Sequence, residues 1–384
     1  MLTRHGWGAI VLAVTTAVIG RFFGVLELFV LGAGIFTLVV AAFIWAHARR
    51  VDLDVRRHVV PSTLQVGEVG RVELRITNRT RLTTSPLHLW EPVSGMGGAT
   101  LRVAPMRGGE TISANYRLPA TRRGTLVFGP LTVERRDPFG LCTVRHEVAG
   151  THEIVVLPAH VALTLPSGNG SSGPVGRHLR MRSLGRDGTE FHSLRDYADG
   201  DDLRSINWRA SARSETLKVR EVEPEGLRRC TVVLDASASE YTPESFERAV
   251  SAAACAIASA GRSALSMRLV IGSETDLRNT DPLAAMHALA DCAAIDADFA
   301  MPFASPTGEG LGLFVMVTGS PQSAAVTEAR RKINPNDVLI TVACTTIAGP
   351  ANSFVIDATE DNGFANSWVA MTGGRVANDS RAAS

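Results

Sequence analysis

Lysine is nearly absent from this 384-residue chain. Lys218 and Lys332 are the only two, and arginine carries the rest of the positive charge. We read that as a compositional bias and attach no function to it. A charge excess is lacking as well. Lys+Arg 39 against Asp+Glu 38 leaves a formal net charge of +1. That argues against a protein devoted to coating nucleic acid, where a basic excess is the rule. Cysteine is sparse and unpatterned: five residues, with no Cys-x-x-Cys. Neither a disulfide framework nor a zinc knuckle is indicated, and buried reduced thiols in a cytoplasmic domain are expected. What the chain does have is apolar residues, 45% of the total. That is enough to bury a sizeable core, and the length suits two or three units of roughly 150 residues.

The apolar residues are concentrated at the start. Residues 7–46 carry no charge except Arg21 and Glu27. The run 28–46 is long enough to cross a hydrocarbon core of roughly 30 Å, at about 1.5 Å per residue. The run 7–20 is shorter and spans if Thr3, Arg4 and Arg21 lie at the interfaces, with the arginines snorkelling. Trp7 and Trp45 sit where an interfacial aromatic belt places them. The expectation is a transmembrane helical hairpin over 1–50 with its turn at 21–24, where Gly20 and Gly24 serve the turn and not a dimer face. A cleaved signal peptide is the rival reading. It needs a cleavage site directly after one short apolar core, and here a second, longer run follows. Arg4 precedes the hairpin and Arg49, Arg50, Arg56 and Arg57 follow it. The positive-inside rule then puts both ends, and everything after residue 50, in the cytoplasm at the inner (plasma) membrane.

From 51 to 165 the pattern changes. Arg71-Val72-Glu73-Leu74-Arg75-Ile76-Thr77 alternates with period two, as a half-buried strand does. Strand-like runs recur at 87–90, 111–118, 125–128, 131–134 and 153–157. Turn residues such as Arg107-Gly108-Gly109 and Asp137-Pro138-Phe139-Gly140 separate them. The spacing predicts an antiparallel β-sandwich with no catalytic constellation. Residues 166–176 are dense in Gly, Ser, Asn and Pro and read as a linker.

The next segment, within 166–229, is the most distinctive. Glu190-Phe191 leads to Leu194-Arg195, Tyr197, Gly200-Asp201, Arg204, Ile206, Trp208 and Ser211-Ala212-Arg213. A strand follows at 217–221. Asp201 is the expected N-cap of a short helix reaching about Arg213, with Leu203, Ile206 and Ala210 on one face. The interleaved charges suggest an Arg–carboxylate and aromatic network that locks this loop in place. His192, Arg195 and Asp196 offer an enzymatic alternative, but no nucleophile accompanies them. The run from Glu190 to Glu225 resembles the bacterial family called "domain of unknown function 58". Its signature is E-F-x-x-L-R-x-Y-x-x-G-D-x-x-R-x-I-x-W-x-x-S-A-R, and every position is filled here. The segment from Arg122-Arg123-Gly124 to Asp137-Pro138-Phe139-Gly140-Leu141 and the hairpin are similar to that family too. The resemblance implies a protein that acts with a MoxR-type AAA ATPase. It implies no reaction.

After Cys230 strands and helices alternate, which predicts a doubly wound, mainly parallel α/β domain over 230–372. A small polar tail, 373–384, is expected to be disordered. Asp235-Ala236-Ser237-Ala238-Ser239 leaves the first strand of this domain. That pattern is similar to the metal-ion-dependent adhesion site of von Willebrand factor type A domains. A carboxylate and two hydroxyls at that spacing can face one hard cation such as Mg²⁺. The resembled site also needs a Thr from a second loop, for which Thr280 is the candidate, and an Asp after a later strand. That strand here ends Val317-Thr318-Gly319-Ser320, without an Asp. The pattern also arises as helix-capping chemistry, and with the site incomplete a structural, metal-free loop is the favoured reading over a Mg²⁺ site. One firm carboxylate is too few for two-metal hydrolysis. None of the cysteines sits in a nucleophile motif, so no enzyme is expected. The expected function is a membrane-anchored protein-binding module, with no nucleic acid or small-molecule substrate. A purely structural membrane scaffold is the runner-up.

Overall fold

The computed structural model describes residues 2–48, 52–165, 173–184, 191–198, 203, 206–222, 227–296, 311–335, 337–348, 354–361 and 363–373. The chain forms two compact units, Met1–Val156 and Leu157–Ser384.

The first unit opens with α1 (Arg4–Phe23) and α2 (Leu26–Ala48). Both helices are long and apolar enough to cross a membrane. Thr3 caps α1 by accepting the Gly6 amide at 3.0 Å. Gly24, at φ +69°, ends it in a conformation that costs glycine little. A Cβ on Gly32 would stand 2.7 Å from the Ala13 carbonyl, and one on Gly20 2.5 Å from the Phe29 amide. Small residues here let the two backbones approach, as between helices in lipid. Gly24 is the turn residue, as expected, while Gly20 packs against α2. Val11, Leu12, Phe22, Phe29 and Phe36 stay exposed.

Ten strands follow: β1 (Leu53–Val60), β2 (Leu64–Gln65), β3 (Val69–Asn78), β4 (Leu87–Glu91), β5 (Ala99–Val103), β6 (Thr111–Pro119), β7 (Gly124–Phe128), β8 (Leu131–Arg136), β9 (Thr143–Ala149) and β10 (His152–Leu157). They form sheets β1-β3-β6, β2-β10-β7 and β5-β4-β8-β9. Their inward residues, including Val72, Leu74, Ile76, Leu89, Phe128 and Val133, share one core. β1 was not apparent from its pattern, because Arg56-Arg57-His58 interrupts it. Arg57 points inward: its Nε lies 2.7 Å from Glu91 Oε1, and Glu91 Oε2 accepts the Tyr116 hydroxyl at 2.6 Å. The Arg57 and Glu91 side chains are 7% and 0% exposed, so this is a buried, hydrogen-bonded ion pair linking two sheets. Burial, and the Glu91 carboxylate beside it, push Tyr116 well above the ordinary tyrosine range.

The second unit contains α3 (Pro174–Leu184), β11 (Phe191–Asp196), α4 (Trp208–Ser211), β12 (Lys218–Val222), β13 (Leu227–Leu234), α5 (Pro243–Arg262), β14 (Ser266–Ile271), β15 (Thr275–Arg278), α6 (Pro282–Asp291), β16 (Leu311–Thr318), α7 (Ala324–Lys332), β17 (Asp337–Ala343), β18 (Phe354–Asp357) and α8 (Gly363–Thr372). Its main sheet has the order β15-β14-β13-β16-β17-β18. All pairs are parallel except β14–β15, an antiparallel edge. Every residue of β16 is buried, as expected for a central strand covered on both faces. Thr242 and Ser245 form a capping box that starts α5.

Three local expectations change. The second unit begins at Leu157, before the Gly/Ser-rich run, because the Leu163 amide donates to Ser259 Oγ and the Trp368 indole to the Thr164 carbonyl. Part of the expected linker is helix, α3 starting at Pro174. The helix of the signature segment is only α4, capped by Asn207, whose side chain accepts the Ala210 amide. Asp201, the expected cap, lies outside the described residues, as does most of the 373–384 tail.

Candidate functional site

In the main sheet the chain enters at β13, moves one way to β14 and β15, then returns to β16 on the other side. The order therefore reverses between β13 and β16. A crevice at the carboxyl ends of such strands is where open α/β sheets place their sites. Asp235 follows β13 there, and Thr318 and Gly319 stand at the end of β16. Asp235 is 1% exposed and Ser237 6%. The carboxylate is held by this chain's own donors: Oδ1 accepts the Ser237 amide at 3.0 Å and Oδ2 accepts the Thr318 hydroxyl at 3.1 Å. Thr318 and Ser323 Oγ are 3.0 Å apart, and Ser323 caps α7 by accepting the Val326 amide.

The loop is fastened on its other side too. Ala238 donates to the Ile295 carbonyl at 2.8 Å and Ile295 to Ala236 at 2.7 Å. A 3-10 turn at Ala238–Glu240 carries Ser239 out to solvent. A Cβ on Gly319 would meet the Glu240 carbonyl at 2.3 Å, so only glycine fits where the two loops cross. Burial, together with the neighbouring Asp235, pushes the Glu240 carboxyl up. The Tyr241 hydroxyl is buried beside Thr318, and burial and then Asp235 push it well above its ordinary range.

Of the expected metal ligands, Asp235 and Ser237 come together and Thr280 does not. The Thr280 amide donates to Met267, near the start of β14. Asp235 continues from Leu234, which pairs with Ile271 at the other end of that strand. Four residues of strand, about 13 Å, separate the two ends, so Thr280 cannot share a cation with Asp235. Among the described residues no three His, Cys, Asp or Glu side chains are grouped to hold a metal. The donor set fits a hydrogen-bonded loop organiser better than a Mg²⁺ site. The buried carboxylate is already compensated by an N–H and an O–H, and Thr318 occupies the position where the resembled pattern has a second carboxylate.

The signature residues form a separate small hairpin, β11–β12, with α4 beside it. The Tyr197 amide donates to the Leu217 carbonyl at 2.8 Å. Ser211 Oγ accepts the Lys218 amide at 2.8 Å, tying α4 to β12, and Ile206 pairs with Val219. Lys218, not an arginine, holds Asp196 at 2.6 Å. Hydrogen bonds from Lys218 and Thr216 bring the Asp196 carboxyl below its usual range. Arg195 Nη1 reaches the Asp196 carbonyl. Arg213 is exposed, and so are Leu203 and Trp208, at 63% and 65%. The tryptophan expected in a locking network therefore faces solvent. Gly200, Asp201 and Arg204 lie outside the described residues. Residues 193–280 match the family described as protein of unknown function DUF58. The match spans less than a quarter of the chain.

No curated protein matches the chain. Among solved structures, the CARDB domain of a Pyrococcus furiosus protein is similar over 28% of this chain and 90% of its own, at 10% identity and TM-score 0.21. An alkylpurine DNA glycosylase of Pseudomonas fluorescens is similar over 30% of this chain and 33% of its own, at 14% identity and TM-score 0.20. A β-glucosidase of Listeria innocua is similar over 26% of this chain and 16% of its own, at 15% identity and TM-score 0.17. Sequence reasoning missed Ser323, Gly319 and Glu240 as parts of the switch-point loop. The signal available was the Thr318-Gly319 pair ending an apolar strand.

Proposed function

We propose that this chain is a membrane-anchored, cytoplasm-facing adaptor that binds a MoxR-type AAA ATPase through its signature hairpin. The observation that carries the reading is Trp208. The family-defining segment spends a large aromatic side chain on solvent, 65% exposed, where nothing in the core needs it. Exposed Trp and Arg are the residue types that anchor protein interfaces, and Arg209 and Arg213 flank Trp208. The Leu157–Ser384 unit is then a von Willebrand type A-like variant. Its Asp-x-Ser-x-Ser loop sits at the switch point but serves as metal-free structure. The role is binding and not catalysis. Burial pushes the Cys230 and Cys344 thiols up to about 12 and Cys255 to about 11, which withholds the thiolate a cysteine nucleophile needs.

The test is co-purification of the full-length protein from its native membrane, with Mg²⁺ and with chelator, read by mass spectrometry. The expected result is an AAA ATPase captured by the wild type and by Asp235→Asn, and lost with Trp208→Ala. Loss with Asp235→Asn as well as with chelator would instead support a Mg²⁺ bridge held by Asp235, Ser237 and Ser239. Loss with chelator alone would trace the metal to the partner. Absence of any ATPase would leave the structural scaffold as the better account.

A further inference from the structure

The 137–141 turn between β8 and β9 is unlike the other turns of the first unit, because both apolar helices rest on it. On the α1 side, the Thr3 amide donates to the Leu141 carbonyl at 2.9 Å and Thr3 Oγ1 donates to the Gly140 carbonyl at 2.7 Å. Leu2 pairs with Cys142. A Cβ on Gly6 would stand 2.2 Å from the Leu141 carbonyl, so the helix lies directly on the turn backbone. On the α2 side, the Arg135 guanidinium donates to the Ala46 carbonyl and sits 5.4 Å from the Trp45 ring centroid. Val39, Ala42 and Ala46 pack with Leu141, Cys142 and Val144, and Leu2, Ala9 and Ile10 join them.

The turn itself is rigid. Asp137, 4% exposed, accepts the Phe139 amide at 2.9 Å and the Cys142 amide at 2.5 Å. Gly140 supplies a φ of +70°. This fixed frame presents Phe139 with 63% of its surface exposed. A rigid turn that holds an aromatic in water loses the free energy of its burial unless something apolar covers it.

We propose that the covering surface is lipid: the 137–141 turn seats the β-unit on the bilayer, and Phe139 enters the interface beside the mouth of the hairpin. The inference rests on the hairpin's being transmembrane. An antiparallel pair brings the start of α1 and the end of α2 to one bilayer face, and the turn is bonded to both. The apolar cluster that Leu141 joins extends along α2 to Val39 and along α1 to Ile10. Phe139 is thereby held at the level of Trp7 and Trp45, where amphipathic and aromatic side chains meet headgroups. Arg4 is exposed at the same end, suited to lipid phosphate. This gives the Asp137-Pro138-Phe139-Gly140-Leu141 segment a purpose that its sequence alone did not: it is the socket for the hairpin and its contact with the membrane.

The test is a nitroxide placed by Phe139→Cys in full-length protein carrying Cys292→Ser, since the other described cysteines are buried. A substitution at an exposed position disturbs folding little. The protein is reconstituted in phosphatidylcholine–phosphatidylglycerol vesicles, and collision of the label with oxygen is compared with collision with a water-soluble nickel chelate. Phe36→Cys on α2 and Val69→Cys on β3, both exposed positions, serve as lipid and water references. Oxygen preference at 139, several-fold above that at 69, supports the seating contact. Nickel preference at 139 with oxygen preference at 36 overturns it while keeping the hairpin in the membrane. Shielding of 139 from both reagents overturns it in favour of a protein cover. Nickel preference at 36 removes the transmembrane reading and the proposal with it.

Discussion

Removing the Glu91 carboxylate should unfold the β-unit at far lower denaturant. Glu91 is fully buried and compensates Arg57, itself 7% exposed, while accepting the Tyr116 hydroxyl. Glu91→Ala strands the Arg57 cation, at about 3–5 kcal/mol. It also strips Tyr116 of a charged acceptor, nominally about 1.5–3 kcal/mol. The two losses share one site and do not add fully, so about 4 kcal/mol is the working figure. At a urea slope of about 2 kcal/mol per molar, the midpoint falls by about 2 M. The assay is pulse proteolysis of full-length protein across a urea series, following peptides from residues 52–156 so that the second unit does not blur the transition. The triple variant Arg57→Met, Glu91→Leu, Tyr116→Phe removes all three polar partners together. It should recover to within about 1 kcal/mol of wild type or exceed it, because the desolvation cost goes with the charges. A midpoint shift under about 0.5 M for Glu91→Ala would correspond to about 1 kcal/mol and refute the reasoning. A triple variant no better than the single would refute it as well.

Tyr116 and Tyr241 are both raised in the folded chain. Below pH 10 neither state ionises them and they add no pH dependence; above it the unfolded chain loses their protons first, so stability falls as pH rises. Urea midpoints should decline from about pH 10 upward, and Tyr116→Phe should flatten that decline for the β-unit. Gly319→Ala places a Cβ 2.3 Å from the Glu240 carbonyl. It should destabilise the second unit by about 1–3 kcal/mol, the usual cost of forcing atoms into a packed site, seen as a lower thermal midpoint with the β-unit unchanged.

The elements most legible in the sequence were those whose pattern reports one environment. The strict alternation at 71–77 became β3, and the apolar run beginning at Leu311 became the fully buried β16. β1 was hidden because its inward position 57 is an arginine, and only a distant glutamate makes that position a core site. β15 was hidden because four residues carry too little periodicity, and its place at the edge is set by Arg268, which pairs with Asp276 at 2.7 Å. For the candidate site, Asp235 and Ser237 were legible from spacing along one loop. Thr318 ends the neighbouring strand β16, with Ser323 just after it, and no local pattern joins them to Asp235. Thr280 was misplaced for the same reason. Proximity in sequence to a turn says nothing about which end of a sheet the turn occupies.

The reversal between β13 and β16 also sets a clock for synthesis. On the β16 side, Leu227 and Leu234 find their partners only when Leu311 and Val317 exist. The roughly 80 residues between them take about 4–16 s to make at 5–20 residues per second. By then the hairpin and β-unit are long complete. For those seconds β13, with Val232, Val233 and Leu234 fully buried in the finished fold, has its β16 edge open. The same arrangement that gathers Asp235 and Thr318 at one point makes the nascent second unit a natural client for chaperones. A chain arrested before residue 311 should accumulate as an aggregation-prone species with an intact β-unit.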